Sequence, residues 1–130
     1  MTGNGKKTVV LSGKAPKPLG PYSQAITSGN LVFVSGQIPV DPVTGAVVTG
    51  NIETQTRVVF ANIQNILSEA GASLMDIVKI SLYLTDLGDF DAVNKVFCEI
   101  FVKDAPARET LQVAALPKSV GIEVSVIAAR

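Results

Sequence analysis

The sequence predicts an α+β fold in which a single β-sheet carries two helices on one face. Three observations predict it. Five segments carry strand patterns, two carry a helical repeat, and the order β, β, α, β, α, β, β places helices between only some of the strands. The 130 residues suit one domain spanning 1–130, because a chain of this size buries roughly 70% of its unfolded surface around one core. Helices on one face leave the other face in need of a partner, and a repeated subunit is the simplest one.

Residues 1–7 are polar and Gly-rich and read as a flexible tail. Thr8 to Leu11 is a short strand candidate. Ala15 to Pro21 holds Pro16, Pro18, Gly20 and Pro21, which keeps it out of helices and central strands and makes it a stiff, extended loop. Leu31 to Val34 is a continuous apolar run with β-branched and aromatic members, a buried strand that is expected to end at Ser35 and Gly36. Asp41-Pro-Val-Thr-Gly45 is a turn signal.

Between Asn51 and Ala70 the residues Val59, Ile63, Ile66 and Ala70 recur at helical spacing; Asn51 can cap the start and Gly71 the end. From Asp76 to Leu84 the chain alternates, with Val78, Ile80, Leu82 and Leu84 on one face. A second helix follows, capped by Asp86 or Asp89, with Phe90, Val93, Phe97, Ile100 and Phe101 as its apolar stripe. Arg108 to Val113 and Ile122 to Ala128 are the last two strands.

Composition narrows the function. Hydrophobic residues reach 47% and charged residues only 17%, against roughly 25% charged in an average soluble protein, so part of the apolar excess is expected in a subunit interface. Eleven basic residues balance eleven acidic ones, which provides no field for a polyanion and makes nucleic acid an unpromising partner. The imbalance is local: Lys6, Lys7, Lys14 and Lys17 all precede the first acidic residue, Asp41, and read as aids to solubility. The apolar runs fall far short of the ~20 residues that cross a bilayer, no secretory signal pattern is present, and Cys98 has no cysteine to pair with; a cytoplasmic protein is expected. The absence of histidine, with a single cysteine, excludes Ser-His-Asp and Cys-His catalysis and the common His and Cys zinc sites. No dinucleotide or phosphate loop of the usual kind is found. Acid–base work falls to Glu, Asp, Lys, Tyr or water.

Strand parity supplies candidates for a site. Arg108, Thr110 and Gln112 share one parity and Leu111 and Val113 the other, which is read as Arg108 pointing away from the helix-covered core. Ile122, Val124, Val126 and Ala128 form the apolar row of the last strand, so Glu123 and Ser125 look the opposite way. If these two strands pair, Arg108 and Glu123 line one surface, either as a site for a planar carboxylate with an adjacent proton acceptor or as a plain ion pair. Further candidates are Tyr22 on a rigid loop, Ser35 and Gly36 at a strand end, and Asn94 beside the apolar stripe of the second helix. Cys98 is read as a small buried hydrophobe.

The segments APKPLGPYSQAI, VFVSGQIPVDPVTG, QTRVVFANIQNILSEAGA, DFDAVNKVF, PAR and ALPKSVGIEVSVIA occur in this order from Ala15 to Ala128 and closely resemble the Rid family of reactive intermediate deaminases, also called YjgF or L-PSP, with RidA as the most similar subgroup. The resemblance implies a chorismate-mutase-like α+β fold assembled as a homotrimer with clefts between neighbouring subunits. It also implies cofactor-free hydrolysis of enamines and imines such as 2-aminoacrylate and 2-aminocrotonate to 2-keto acids and ammonia. Carried over by motif, Arg108 binds the substrate carboxylate, Glu123 positions the attacking water, and Tyr22, Ser35, Gly36 and Asn94 line the cleft; Thr110, of the same strand parity as Arg108, is a further substrate-binding candidate. Two residues depart from the pattern. Many relatives place Ser or Thr and then a small residue after PAR, whereas Glu109 and Thr110 follow here; strand parity turns Glu109 away from Arg108. The alternatives are a ribonuclease or translation inhibitor, a reading also attached to this family, and a non-catalytic ligand sensor or holdase.

Overall fold

A computed structural model describes residues 6–130; of the tail expected over 1–7, residues 1–5 lie outside the described part. The elements are β1 (Thr8–Val10), β2 (Ala25–Ser28), β3 (Leu31–Gln37), α1 (Ile52–Glu69), β4 (Ile77–Leu84), α2 (Phe90–Ile100), β5 (Ala107–Gln112) and β6 (Ile122–Ala129). The α+β sheet with helices on one face is present, with one strand more than the sequence pattern disclosed. The extra strand, β2, is only four residues long and lies just past the proline-rich loop, too short for alternation to declare it.

The strands lie in the order β1-β2-β3-β6-β4-β5. All neighbours are antiparallel except β4 and β5, which run parallel because α2 carries the chain back over the sheet between them. The pairing expected of the last two strands does not occur: β4 separates β5 from β6. Two register shifts bend the centre of the sheet, one between Val34 and Gln37 and one between Ile77 and Lys79. The second corrects the reading of β4, since Ile77 is buried and Val78, expected in the core row, is exposed.

The apolar rows Ile80, Leu82, Leu84 and Ile122, Val124, Val126 pack with Val32 and Val34 beneath the α1 residues Val59, Ile63 and Ile66. Asn51 caps α1 by accepting from the Thr54 amide (2.8 Å). Gly71 ends it at φ 77°, a conformation that a side chain would strain, while the next amide, Ala72, returns to the Leu67 carbonyl. The two helices are tied by the Phe60 and Phe97 rings, 5.1 Å apart and edge to face, and by the cross-helix ion pairs Arg57–Glu99 (3.0 Å) and Lys95–Glu53 (3.4 Å). Among the described residues the opposite face of the sheet carries no helix. There Val9, Ile26, Phe33 and Ile127 stand side by side across four strands, and Val9, Phe33 and Leu111 are 61%, 41% and 50% exposed. No helix of the described residues is long and apolar enough to cross a membrane.

The proline-rich loop is anchored by Gln24, which is 1% exposed. Its side-chain oxygen accepts from the Ser12 amide (2.6 Å), and its amide nitrogen donates to the carbonyls of Ser12 (3.2 Å) and Pro16 (2.9 Å). One side chain thus satisfies backbone groups that a loop without regular partners would leave buried and unpaired. Gln24→Leu, similar in volume, is expected to lower stability by about 2–4 kcal/mol by stranding those groups; urea denaturation read by circular dichroism checks it, and an unchanged midpoint would refute the anchoring role.

Candidate functional site

Two cavities hold the polar side chains of interest. The first, of about 360 Å³, is lined by Leu19, Tyr22, Ser35, Gly36, Ile38, Pro117 and Glu123. Glu123 projects from the helix-free side of β6, beside Tyr83 of β4. Its carboxylate occupies the space that a side chain at residue 36 would need: a Cβ on Gly36 would lie 2.8 Å from the Glu123 Cδ and closer still to Oε2. Burial disfavours the charged form and raises the Glu123 pKa above the ordinary glutamate value. Tyr22 is held by its own turn, with its hydroxyl accepting from the Leu19 amide (3.1 Å) and its amide donating to the Gly20 carbonyl (2.8 Å). The Ser35 hydroxyl donates to the Ser23 carbonyl (2.6 Å) and its amide to the Gln24 carbonyl (2.9 Å). The strand does not stop at Ser35 and Gly36 as the sequence suggested; it runs on to Gln37 through the irregular register against β6, and that irregularity brings Gly36 against Glu123.

The second cavity, of about 410 Å³, opens between α2 and β5 and is lined by Arg108, Asn94, Phe97, Cys98, Phe101, Ile80, Ala105 and Pro106. The Arg108 guanidinium carbon stands 4.8 Å from the Phe97 ring centroid and 5.5 Å from that of Phe90. Aromatic faces attract a cation and leave the guanidinium fork free to donate. Among the described residues Arg108 has no acidic partner, and desolvation lowers its pKa from the ordinary value.

The placement of Arg108 overturns one expectation from parity. In the parallel register Ile80 pairs with Arg108 and Leu82 with Thr110, so both polar residues lie on the helix-covered face of β5, and Leu111 lies on the open one. Parity grouped these residues correctly and assigned the groups to the wrong faces, because β5 is an edge strand whose inward row is polar and rests on rings of α2. Arg108 and Glu123 therefore point to opposite sides of one sheet and neither line one surface nor pair within the chain. Thr110 is half-buried beyond Arg108 and lines neither cavity. Glu109 is turned away from Arg108, as parity required, and meets Lys79 (3.3 Å) on the other face. Cys98, expected to be buried, is exposed in the Arg108 cavity. The aromatic shelf under Arg108 escaped the sequence reading because Phe90 and Phe97 sit at core spacing on α2; Leu19, Ile38 and Pro117 carry no chemical signal at all.

Chemically, one cavity offers a cation with unspent donors and the other a carboxyl group whose burial raises its pKa. Among the described residues no group of three His, Cys, Asp or Glu side chains gathers to form a metal-ligand set.

The profile of the Endoribonuclease L-PSP family matches residues 12–130. A RutC family protein of Pyrococcus abyssi is 55% identical over 122 residues, covering 94% of this chain and 96% of that protein. A 2-iminobutanoate/2-iminopropanoate deaminase of Dermatophagoides farinae is 39% identical over 121 residues, covering 93% and 94%. The crystal structure of Escherichia coli TdcF with bound serine superposes with a TM-score of 0.88 at 39% identity, covering 95% of this chain and 98% of that one.

The raised pKa of Glu123 has a signed consequence for stability. The fold favours the protonated carboxyl, so in the window between the ordinary glutamate value and the raised one the folded state keeps a proton that the unfolded chain has released. The resulting stabilisation is complete in acid and is lost as pH rises through the raised value. Glu123→Gln, a neutral isostere, is expected to show a flatter profile and a stability advantage over the native chain that grows as pH rises from about 4 towards neutrality. Thermal melts across that range check it; parallel curves would remove the desolvation argument.

Proposed function

The chain belongs to the endoribonuclease L-PSP family, the group of proteins also called Rid or YjgF, and on that premise we propose that it is a deaminase hydrolysing 2-imino acids and their enamine tautomers to 2-keto acids and ammonia. The observation that carries the reading is an unpaired guanidinium on an aromatic shelf together with a desolvated carboxyl group on the far side of the same sheet. A single chain cannot apply both to one small substrate. A neighbouring copy can, and the uncovered apolar row of Val9, Ile26, Phe33 and Ile127 supports an assembly through that face. We therefore take the protein to be a cytoplasmic homotrimer whose sites combine Arg108 and Asn94 of one subunit with Glu123, Tyr22, Ser35 and Gly36 of the next.

In such a site Arg108 grips the substrate carboxylate bidentately and fixes the C2 carbon in front of Glu123. The ionised Glu123 takes a proton from water as the water oxygen bonds to C2 of the protonated imine, whose C=N π pair moves onto nitrogen, giving a neutral carbinolamine. The C–N bond then breaks, the nitrogen leaves as ammonia with the proton returned by the Glu123 carboxyl, and the C2 hydroxyl becomes the keto oxygen as its proton passes to solvent. An imine carbon is electrophilic from the outset, so a carboxyl group that both accepts and returns a proton suffices without a strong nucleophile. A raised pKa suits a group with those two tasks. The chain's balanced charge favours this reading over RNA cleavage, which calls for a basic groove.

Three outcomes test the proposal. Glu123→Gln is expected to lower turnover by about 10²–10⁴ while binding of a 2-keto acid stays nearly intact, and Arg108→Lys to lose most activity because an ammonium lacks the fork; both are read as keto acid release when the purified protein is added to a serine or threonine dehydratase. Wild-type turnover in Glu123→Gln would remove Glu123 from the mechanism. Chains carrying Arg108→Ala and chains carrying Glu123→Ala, unfolded together and refolded as a mixture, are expected to regain part of the activity that neither has alone, since some mixed trimers hold one intact site; no recovery would argue against shared sites. Native mass spectrometry should give about three times the 13.6 kDa chain mass, and a monomer at micromolar concentration would refute the assembly.

A further inference from the structure

The Glu123 cavity has a neighbour. A second groove of about 350 Å³ shares Leu19, Tyr22, Gly36 and Ile38 with it, so the two adjoin along a common wall, and Lys17 and Lys118 line the second groove alone. Neither lysine makes an ion pair among the described residues. Both stand on constrained backbone. Lys17 lies between Pro16 and Pro18, which hold the loop extended. Lys118 adopts φ 57° and ψ 23° and is followed by Ser119 at φ 58°, two consecutive side-chain-bearing residues in the left-handed region, a conformation that persists only where the surrounding structure imposes it. The rest of the groove's lining is mixed, with the apolar Ile38 and Val40 beside the polar Gln24, Gln37 and Thr44.

We infer that this groove is a subsite for a second, distal carboxylate, so that the preferred substrates are 2-imino acids with an acidic side chain rather than alkyl ones. The inference rests on the deaminase reading for its orientation. With the 1-carboxylate on Arg108 of a neighbouring subunit and C2 in front of Glu123, the substrate side chain needs an exit, and the adjoining groove supplies one. Its chain passes Leu19, Tyr22 and Ile38, which line both cavities, and its terminal carboxylate meets the Lys17 and Lys118 ammonium groups, which have no ion-pair partner among the described residues.

The test uses the intact protein and a homologous series of 2-keto diacids paired with 2-keto monoacids of equal chain length, with binding measured by calorimetry. At least one diacid is expected to bind about tenfold more tightly than its monoacid partner, two partly exposed charge pairs being enough for that. The double substitution Lys17→Gln and Lys118→Gln is expected to abolish the preference, leave monoacid affinity within about twofold and leave the melting temperature unchanged, while Lys118→Arg retains the preference. Equal binding of diacids and monoacids by the native chain, or a preference that survives the double substitution, overturns the subsite. The kinetic arm separates this from the broader reading. Turnover of alkyl imines with no lysine-dependent diacid preference sinks the subsite alone, whereas a lysine-dependent diacid preference without turnover of any imine sinks the deaminase and leaves a diacid-binding groove.

Discussion

The pleat of the sheet is the constraint on which the candidate chemistry depends. Side chains alternate between faces with a period of two, and hydrogen-bonded neighbours at one register level share a face. Once β4 places Ile80 and Leu82 in the core, β5 beside it must put Arg108 and Thr110 on the core side, and β6 on its other edge must put Glu123 with Tyr83 on the open side. The separation of the cation from the carboxyl group is therefore not an accident of rotamers. It is fixed by two registers, and only association with another copy can bring the two groups to one ligand.

Each half is prepared by different physics. On the helix side the preparation is aromatic: Phe97 and Phe90 hold the guanidinium without using its donors, where a carboxylate would consume them. On the open side the preparation is desolvation and space: the missing side chain at Gly36 admits the Glu123 carboxyl group into a cavity that favours its neutral form. Gln24 supports this side from behind, since it fixes the loop that leads into the turn carrying Leu19 and Tyr22.

Much of this was legible in the residues. The two helices, their caps at Asn51 and Gly71, the core rows of β4 and β6 and the direction of Glu123 follow from periodicity and capping chemistry. Strand-level features with no composition of their own were not legible. β2 is too short to alternate visibly, and the register shifts near Val34 and Ile77 leave no mark in hydropathy, so the end of β3 and the side of Val78 were misread. Arg108 was assigned to the wrong face for an instructive reason. Hydropathy marks Leu111 for the core, yet on this edge strand the apolar residue faces outward and the charged one inward, where ring faces replace the aliphatic packing that parity arguments assume. Cys98 failed similarly: a small apolar residue one place beyond Phe97 need not share its burial, because one step along a helix turns the side chain by about 100°.

The fit of Glu123 against Gly36 also limits what residue 36 can become. The two residues stand on different strands, far apart in the chain, yet the carboxyl group fills the volume that any side chain at residue 36 would claim. Even a methyl group at 36 would meet that carboxyl group, so the Glu123 side chain would have to swing aside and its acid would leave the place it holds. The positioning of the acid is thus owed to a neighbour that has no chemistry of its own to offer.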